Sequence, residues 1–328
     1  MKAVVQSCPG AADTLSLGDM PIPEPGPGQL RLRVRAAGVN RADVMQREGH
    51  YPPPPGASAI LGLEVAGEID AIGAGVTGFV PGERIAALVS GGGYAEFALV
   101  SASLAMRLPA GMGFVEAASL PEAWMTAWLN LRELGDLHVG QRVLIHAGAS
   151  GVGAAAIQLA RLSGATVLTT AGSDEKCAFC ESLGASLAIN YRTTDVAGAV
   201  RAAGKVDLIL DPVGGATLGP NLACLNQDGK LVLIAFMAGR STELDLGQLL
   251  MKRLTVIGST LRNRDPVTKA RLAARVQDTV IPAIVAGDVR ATVDRTFPLA
   301  EVAAAHRYLE SNQNRGKVVL TVAAASTV

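Results

Sequence analysis

The sequence predicts an α/β protein in two parts, one rich in β-strands and one built as a doubly wound, parallel six-stranded sheet. Three observations support this prediction. The chain has 328 residues, 49% of them hydrophobic, which is enough to form two separate cores. Its first third carries short aliphatic runs between Gly and Pro. From about Pro121, aliphatic runs alternate with helical patterns instead.

The first part is predicted to be an irregular β unit. Its segments alternate or run aliphatic between turn residues: KAVVQS, LRLRVRAAGV, EVAGEIDAIG, ERIAALV and YAEFALV. The segment YPPPPG at 51–56 cannot be a helix or a central strand, because each proline lacks an N–H and has a fixed φ. We expect it to form a stiff loop.

The second part contains six predicted strands, at 143–147, 165–171, 186–191, 206–212, 230–236 and 254–260. Helical patterns lie between them, so the connections should be right-handed crossovers and the sheet parallel and buried on both faces. This is a dinucleotide-binding architecture. After Arg264, a long helix over 269–287 precedes further β segments, which should return to the first part. The predicted boundaries are 1–120, 121–263 and 264–328.

Composition excludes several kinds of partner. Lys+Arg and Asp+Glu are equal at 29 each, so no general attraction to nucleic acid or anionic membrane is expected. The opening MKAVVQS is too short for a signal peptide, and no apolar run approaches the roughly 20 residues of a membrane span. We expect a cytoplasmic protein with a small-molecule ligand. Cys177 and Cys180 form a CxxC without the further ligands of a metal site, so no metal is expected.

The sharpest local motif is VLIHAGASGVGAAAIQLA at 143–160. A strand is followed by a turn over Gly148–Gly153 and then by a helix of small residues. Such a turn lets backbone N–H groups and the helix N-terminus face a pyrophosphate. Ser150 stands where the GxGxxG pattern has its second glycine, so the strand, turn and helix context carries the prediction.

The end of the second strand bears on the choice of dinucleotide. NAD sites place a carboxylate there, about 20 residues beyond the glycine turn, but this chain has Gly172 and Ser173. Ser173, Lys176 and Tyr191 are candidates for binding a 2′-phosphate, which favours NADPH. Asp174 and Glu175 favour the opposite, unless they only stabilise the helix N-terminus. The alternative for Lys176 is an ordinary solvated helix position.

The later strand ends should line the nicotinamide half of the site, because open α/β sheets bind ligands at the carboxyl ends of their strands. The segments concerned are Asp211–Gly215, Ala235–Gly239 and Ser259–Leu261.

Five segments together resemble a known family. They are GVNRADVMQREGHY (38–51), LGLEVAGEI (61–69), HAGASGVGAAAIQLA (146–160), ILDPVGG (209–215) and NRGKVVL (314–320). The chain resembles the zinc-independent quinone oxidoreductases of the medium-chain dehydrogenase/reductase superfamily, over essentially its whole length. The resemblance is closest to the branch of the p53-inducible quinone oxidoreductase, with zeta-crystallin a more distant relative.

The resemblance implies a GroES-like catalytic domain in two sequence pieces, a Rossmann domain and a cleft between them where NADPH reduces quinones. It also implies a homodimer. By the same resemblance, Ser150–Gly153 hold the pyrophosphate, Gly172, Lys176 and Tyr191 surround the adenosine phosphate, and Asn40 and Tyr51 lie on the substrate side. Zinc enzymes of the superfamily carry Cys where this chain has Asn40 and GHE where it has Gly62, Leu63 and Glu64. Neither Asn nor Leu replaces a thiolate or imidazole ligand.

Without zinc, the acceptor must itself spread the negative charge that hydride transfer creates, as a quinone or an activated enone does. Asn40 and Tyr51 are the candidate hydrogen-bond donors to its oxygen. The alternatives are rim packing for Tyr51 and a turn-capping role for Asn40. Arg41, Asp43 and Arg47 are interpreted as an ion-pair group on one helix face. Glu64 and the four histidines are expected to be structural, with His146 near the cofactor turn.

The favoured function is therefore NADPH-dependent, zinc-independent quinone reduction. Reduction of an activated C=C bond in an enone or acyl thioester is the alternative within enzymes, and an NADPH sensor or RNA-associated protein is the alternative outside them. The predicted catalytic residues are Tyr51 and Asn40. The predicted cofactor-binding residues are Ser150, Gly151, Val152, Gly153, Gly172, Ser173, Lys176, Tyr191, Val213, Gly214, Phe236, Met237, Ser259, Leu261 and Asn314.

Overall fold

A computed structural model describes residues 1–323 of the chain. The described residues form two compact units, one from Met1–Met125 together with the segment that starts at Arg262 and the other from Thr126–Leu261. They are called here the catalytic unit and the Rossmann unit. No helix within the described residues is long and apolar enough to cross a membrane.

The catalytic unit is mainly β-structure. Its strands are β1 (Lys2–Gln6), β2 (Leu15–Asp19), β3 (Gln29–Val39), β4 (Glu64–Ile72), β5 (Arg84–Leu88), β6 (Phe97–Ser101), β7 (Ala105–Arg107), β14 (Val293–Pro298) and β15 (Lys317–Thr321). Its helices are α1 (Arg41–Arg47), α2 (Phe114–Ala117), α9 (Pro266–Arg275), α10 (Ile281–Ala286) and α11 (Val302–Glu310), with the start of α3 (Pro121–Trp128).

A seven-stranded sheet organises this unit, in the order β14-β15-β3-β4-β5-β7, with β6 also paired to β3. The long strand β3 alternates buried aliphatic residues with more exposed ones, as a strand with one buried face should. Strand β15 pairs antiparallel with β3, opposing Val318 to Val39. This register places Lys317 beside the start of α1, although the two segments are far apart in sequence.

The Rossmann unit alternates strands and helices. Its strands are β8 (Arg142–Ile145), β9 (Thr166–Ala171), β10 (Leu187–Asn190), β11 (Val206–Asp211), β12 (Leu225–Leu233) and β13 (Thr255–Gly258). The helices are α4 (Gly151–Leu162), α5 (Asp174–Ser182), α6 (Val196–Ala202), α7 (Leu218–Cys224) and α8 (Leu246–Met251). Cys177 and Cys180 are buried free thiols on α5.

The six strands form one parallel sheet in the order β10-β9-β8-β11-β12-β13. The order reverses between β8 and β11, and this is the point where such sheets bind ligands. The predicted fold class, a β-rich GroES-like part with a doubly wound six-stranded sheet, is confirmed.

One predicted element differs. The segment 269–287 was expected to be a single long helix, but α9 ends at Arg275 and α10 begins at Ile281, with a π-helical stretch over Val276–Val280 between them. Pro282 lies at the start of α10. A proline has no N–H to continue an α-helical ladder, so the preceding turn widens.

Candidate active site

The glycine-rich turn follows the central strand of the Rossmann sheet. Ser150 begins α4, and its hydroxyl accepts a hydrogen bond from the N–H of Gly153 at 3.0 Å. Gly151 and Val152 lie in the first turn of this 12-residue helix, where N–H groups have no intrahelical acceptor. With the positive end of the helix dipole, these donors fit a pyrophosphate.

Two glycines of the turn permit a close approach of backbone. A Cβ on Gly153 would collide with the carbonyl oxygen of Ala147, and one on Gly148 with the Thr169 hydroxyl. Ala147 itself has φ of 54°, which is uncommon for a residue other than glycine. The turn is therefore folded tightly against the ends of β8 and β9.

Asp211, at the end of β11, organises the neighbouring turn. It is fully buried, and its carboxylate accepts from the N–H groups of Val213 at 2.5 Å and Gly214 at 3.2 Å. It also accepts from the Thr217 hydroxyl at 2.6 Å and the Asn221 amide at 2.8 Å. Four donors on one carboxylate compensate the cost of burying it and fix the conformation of Val213 and Gly214.

His146 connects this carboxylate to the cofactor side of the sheet. Its Nε2 lies 2.8 Å from Asn221 Oδ1 and its Nδ1 lies 3.0 Å from the Thr170 hydroxyl. Since the Asn221 amide nitrogen donates to Asp211, its oxygen must accept, which assigns the proton of neutral His146 to Nε2. Burial lowers the pKa of His146, so the ring is a neutral structural link.

The tip of β9 contains the residues predicted to distinguish NADPH from NADH. The Ser173 hydroxyl caps α5, accepting from the Lys176 N–H at 3.3 Å. Asp174 accepts from the Asn190 amide at 2.8 Å. A Cβ on Gly172 would lie 2.6 Å from the hydroxyl of Tyr191, so only glycine lets this half-exposed phenol lie across the strand end.

The remaining predicted cofactor residues of this unit also follow strand ends. Phe236 and Met237 are about half exposed beyond β12, and the Met237 N–H donates to Pro212 O at 3.2 Å. Ser259 and Leu261 follow β13 and are buried. The Ser259 hydroxyl has no hydrogen-bond partner among residues 1–323. A buried hydroxyl without a partner fits a group that a ligand completes.

In the catalytic unit, the centre of the site is a buried cluster of Asn40, Glu64 and Lys317. The Asn40 amide nitrogen donates to Glu64 Oε1 at 2.9 Å, and Lys317 Nζ donates to Asn40 Oδ1 at 2.5 Å. Lys317 also forms a salt bridge with Glu64 Oε1, with the two side chains 4% and 0% exposed. Because an ammonium only donates, it fixes the amide orientation and leaves one Asn40 N–H for a ligand.

Glu122 lies next to this cluster, and its N–H donates to Glu64 Oε2 at 2.8 Å. Glu64 thus lies at the N-terminus of α3, where negative charge is favourable. Burial, together with repulsion from Glu64, raises the pKa of the Glu122 side chain to about 8. Glu122 is therefore mainly protonated at neutral pH, which keeps a second negative charge out of the cluster.

The interpretation of Arg41, Asp43 and Arg47 as a helix-face ion-pair group is wrong. Asp43 is buried and accepts from the N–H groups of Asn40 at 2.8 Å and Gly62 at 3.1 Å. Burial raises its pKa to about 6. Arg47 pairs with Glu310 at 2.7 Å, and Arg41 bonds to Asn312 at 2.7 Å. Asp43 thus serves the N-terminus of α1, while the two arginines attach α1 to the α11 segment.

Tyr51 begins the proline-rich loop and is partly buried, and burial raises the pKa of its phenol. The guanidinium carbon of Arg262 lies 5.2 Å from the centre of its ring. The charge of Glu122 raises the Tyr51 pKa further, and the charge of Arg262 lowers it. Asn314, also in this unit, is buried and donates to Gly316 O at 2.7 Å.

Sequence reasoning missed Lys317, Glu122 and Arg262 as members of the site. Each had a signal. Lys317 lies within the NRGKVVL segment, and Arg262 directly follows the predicted Ser259–Leu261 turn. Glu122 follows a proline at a helix start. Nothing in local spacing joins these positions to residue 40 or 64. Pairing of β15 with β3 brings Lys317 there, and the N–H of Glu122 reaches Glu64 from the start of α3.

A dinucleotide-binding turn in one unit and a buried cluster of polar donors in the other define an oxidoreductase that uses a nicotinamide dinucleotide. Comparisons with known proteins support this class. Residues 26–110 match the alcohol dehydrogenase GroES-like domain, and residues 151–276 match the family model described as zinc-binding dehydrogenase. The chain is 33% identical over 290 residues to a quinone oxidoreductase of Pseudomonas aeruginosa, covering 87% of this chain and 89% of that protein.

Solved structures give the same result. The Escherichia coli quinone oxidoreductase complexed with NADPH superposes with a TM-score of 0.89 at 28% identity, covering 98% of this chain and 100% of that one. The CurK enoyl reductase superposes with a TM-score of 0.86 at 30% identity, covering 98% and 99%. The chain belongs to the medium-chain dehydrogenase/reductase superfamily and is similar to its quinone oxidoreductases.

Replacing Lys317 by Met should lower the free energy of unfolding by about 3 to 5 kcal/mol, because Glu64 would stay buried without its cation. The double variant Lys317→Met, Glu64→Gln should recover much of this loss. Chemical denaturation measures both. The control is Lys2→Met, which removes an exposed pair with Asp19 and should cost less than about 1 kcal/mol. Equal losses for the two lysine variants would contradict the assigned role of Lys317.

The stability difference between Glu122→Gln and the wild type should depend on pH. Glu122 holds its proton up to a pH of about 8 in the folded protein, against a pKa of 4.5 for an ordinary glutamate. Unfolding between these values releases a proton, so rising pH destabilises the wild type, by up to about 1.4 kcal/mol per pH unit. Glu122→Gln should lack this slope in denaturant titrations from pH of about 5 to about 8, whereas the exposed control Glu301→Gln should follow the wild type. Parallel curves for Glu122→Gln and the wild type would refute the buried protonated state.

Proposed function

We propose that the protein reduces quinones with NADPH, and that it does so without zinc. The coarser class, a medium-chain oxidoreductase with an NAD(P)H-type fold, rests on the comparisons. The observation that carries the finer proposal is the cluster of Asn40, Glu64 and Lys317. It presents a hydrogen-bond donor to a substrate and has an ammonium group at its centre.

The donor set does not fit a catalytic zinc ion. Zinc sites in proteins use thiolate, imidazole and carboxylate ligands, but Asn40 offers an amide whose oxygen already accepts from Lys317. The single carboxylate, Glu64, is bonded to an ammonium, an amide and a backbone N–H. Within residues 1–323, no group of three or more His, Cys, Asp and Glu side chains is arranged to hold a metal. The chemistry proposed here therefore uses hydrogen bonds alone.

The residues of the catalytic unit have separate roles in this proposal. NADPH, when bound, supplies the hydride. Asn40 donates its remaining N–H to a carbonyl oxygen of the acceptor, and Lys317 holds the amide in the donating orientation. Tyr51 donates its phenolic hydrogen to the acceptor, and its raised pKa means that the phenol is protonated at neutral pH. A quinone suits these donors because its reduced form spreads the negative charge over an aromatic ring.

The preference for NADPH over NADH is also a proposal. Ser150, Gly151, Val152 and Gly153 are suited to the pyrophosphate, and Val213, Gly214, Phe236, Met237, Ser259 and Leu261 to the nicotinamide half, with Asn314 as a further cofactor contact. At the β9 tip, Asp174 accepts from Asn190, and Asp174 and Glu175 both lie in the first turn of α5, where negative charge is favourable. Gly172, Ser173, Lys176 and Tyr191 supply the surroundings of a 2′-phosphate.

Reduction of an activated C=C bond is the second candidate, and the similarity to the CurK enoyl reductase favours it. The same donors would then hold the carbonyl oxygen of an enone or acyl thioester. An RNA-binding role is disfavoured by the balance of 29 basic and 29 acidic residues.

A homodimer is proposed through the β13 edge of the Rossmann sheet. The neighbouring helix α8 exposes Leu246, Leu250 and Met251 by 60%, 73% and 80%. An unpaired strand edge beside an exposed apolar helix face is normally covered by a partner.

Purified protein with NADPH should turn over 1,2-naphthoquinone and 1,4-benzoquinone faster than simple enones, as measured by the loss of NADPH absorbance. Tyr51→Phe should lower the turnover of quinones by about 100-fold if the phenol gives up its proton. Tyr308→Phe, which removes a phenol bonded to Asp294, is the matched control and should keep full turnover. Enone turnover with inert quinones would reject the first candidate in favour of the second.

Lys176→Ala should raise the KM for NADPH by about tenfold, because one charged contact to a phosphate is worth about 1.5 kcal/mol. The KM for NADH should change less than about twofold on the same reasoning, since NADH lacks the phosphate. Arg201→Ala on α6 removes an exposed cation elsewhere in the Rossmann unit and serves as the control. Equal changes for both dinucleotides would remove Lys176 from the 2′-phosphate site.

A further inference from the structure

Arg262 is a buried cation whose hydrogen-bond partners are all neutral. Arg262 is only 5% exposed. Nη2 donates to Gln46 Oε1 at 2.6 Å and to Ser90 O at 2.9 Å, and Nη1 donates to Tyr51 O at 3.4 Å. The Nε–H has no partner among residues 1–323. A buried guanidinium with a free donor is costly in an apo protein and fits a site that an anion completes.

The acidic groups around Arg262 compensate its charge only in part. Burial lowers its pKa, and the nearest acidic groups acting on it are the side chains of Tyr51, Asp43 and Glu122. The Tyr51 phenol is neutral, Asp43 is already bonded to two backbone N–H groups, and Glu122 is mainly protonated at neutral pH. Lys269 adds a second cation, donating to the Arg262 carbonyl oxygen at 2.6 Å. The neighbourhood is therefore electropositive although the whole chain is neutral.

The guanidinium is also held in one orientation. Its two terminal nitrogens are bonded to three oxygens from different segments, and its carbon lies 5.2 Å from the centre of the Tyr51 ring. An arginine fixed in this way loses no rotational freedom when it binds a ligand. A fixed donor in a water-poor site stabilises developing charge more than a mobile one does.

We propose that Arg262 is a catalytic residue whose free Nε–H binds the acceptor oxygen that becomes negative during reduction. The proposal rests on the proposed function and deepens it, because it names the donor that holds the negative charge when the reduced acceptor is a phenolate or an enolate. The hydride adds with its electron pair to one carbonyl oxygen of a quinone, the ring π electrons shift, and the π bond of the far carbonyl breaks to leave an oxyanion that Arg262 holds. A proton from the Tyr51 hydroxyl then completes the hydroquinone, and solvent returns a proton to Tyr51.

The binding test uses p-nitrophenol, whose phenolate absorbs visible light and whose neutral form does not. Bound to wild-type protein saturated with NADP⁺, the probe should ionise at a pH about one unit lower than in solution, a tenfold preference for the phenolate. Arg262→Met should abolish this preference. Arg262→Lys, which keeps the charge but lacks Nε, should reduce it.

A matched control is available in the same unit. Arg84 also lies over an aromatic ring, with its guanidinium carbon 4.5 Å from the centre of Phe114, and also donates to a backbone carbonyl, that of Ala110 at 3.3 Å. Arg84→Met should leave probe ionisation and turnover unchanged. Arg262→Lys should lower kcat for quinones by about 100-fold, the usual loss for one oxyanion donor, with the Kd for NADPH unchanged.

Two results would overturn the proposal. One is a probe that binds wild-type protein in its neutral form, or that ionises equally in wild type and in Arg262→Lys. The other is a large rise in the Kd for NADPH in Arg262→Lys with normal probe binding, which would assign the guanidinium to the cofactor. If Arg262→Met does not fold, Arg262→Lys decides the outcome. Absence of any NADPH oxidation by the wild type would reject the proposed function, whereas probe ionisation tests the anion site separately.

Discussion

The catalytic unit depends on how one buried carboxylate, that of Glu64, is compensated. It accepts from the Asn40 amide, the Lys317 ammonium and the Glu122 N–H, which come from the start of α1, from β15 and from α3. A carboxylate with no exposure to water must be paired in this way or become protonated. The hydrogen bonds to Glu64 therefore join three distant segments and at the same time fix the orientation of the Asn40 amide. Gly38 makes room for the carboxylate, since a Cβ there would collide with it.

In the Rossmann unit, the buried carboxylate of Asp211 likewise holds separate segments together. Its four hydrogen bonds hold the turn after β11, and through Asn221 they extend to His146 after β8. These two strands flank the point where the strand order reverses. In both units a buried acid organises the loops, while the groups left without partners, such as the Ser259 hydroxyl, are suited to ligands.

The local charges of the site differ from the charge of the whole chain. The 29 basic and 29 acidic residues cancel, and that balance disfavours polyanionic partners. Near Tyr51, however, Arg262 and Lys269 are cationic while burial keeps Glu122 mainly protonated. An ammonium, that of Lys317, and a guanidinium, that of Arg262, are thus both buried in this unit. Net charge cannot predict such a site, because desolvation changes which groups are charged.

The sequence by itself determined the six parallel strands, the glycine-rich turn with Ser150 at the helix start, and the superfamily, because hydrophobic period and turn chemistry are local properties. The helical spacing of Arg41, Asp43 and Arg47 led to a wrong role for Asp43, because spacing shows which residues share a face but not which face is buried. Only the tertiary structure decided that Lys317 and Glu64 meet Asn40. Pairing of β15 with β3 and of β3 with β4 brings together residues up to 277 positions apart, and no local pattern encodes that contact.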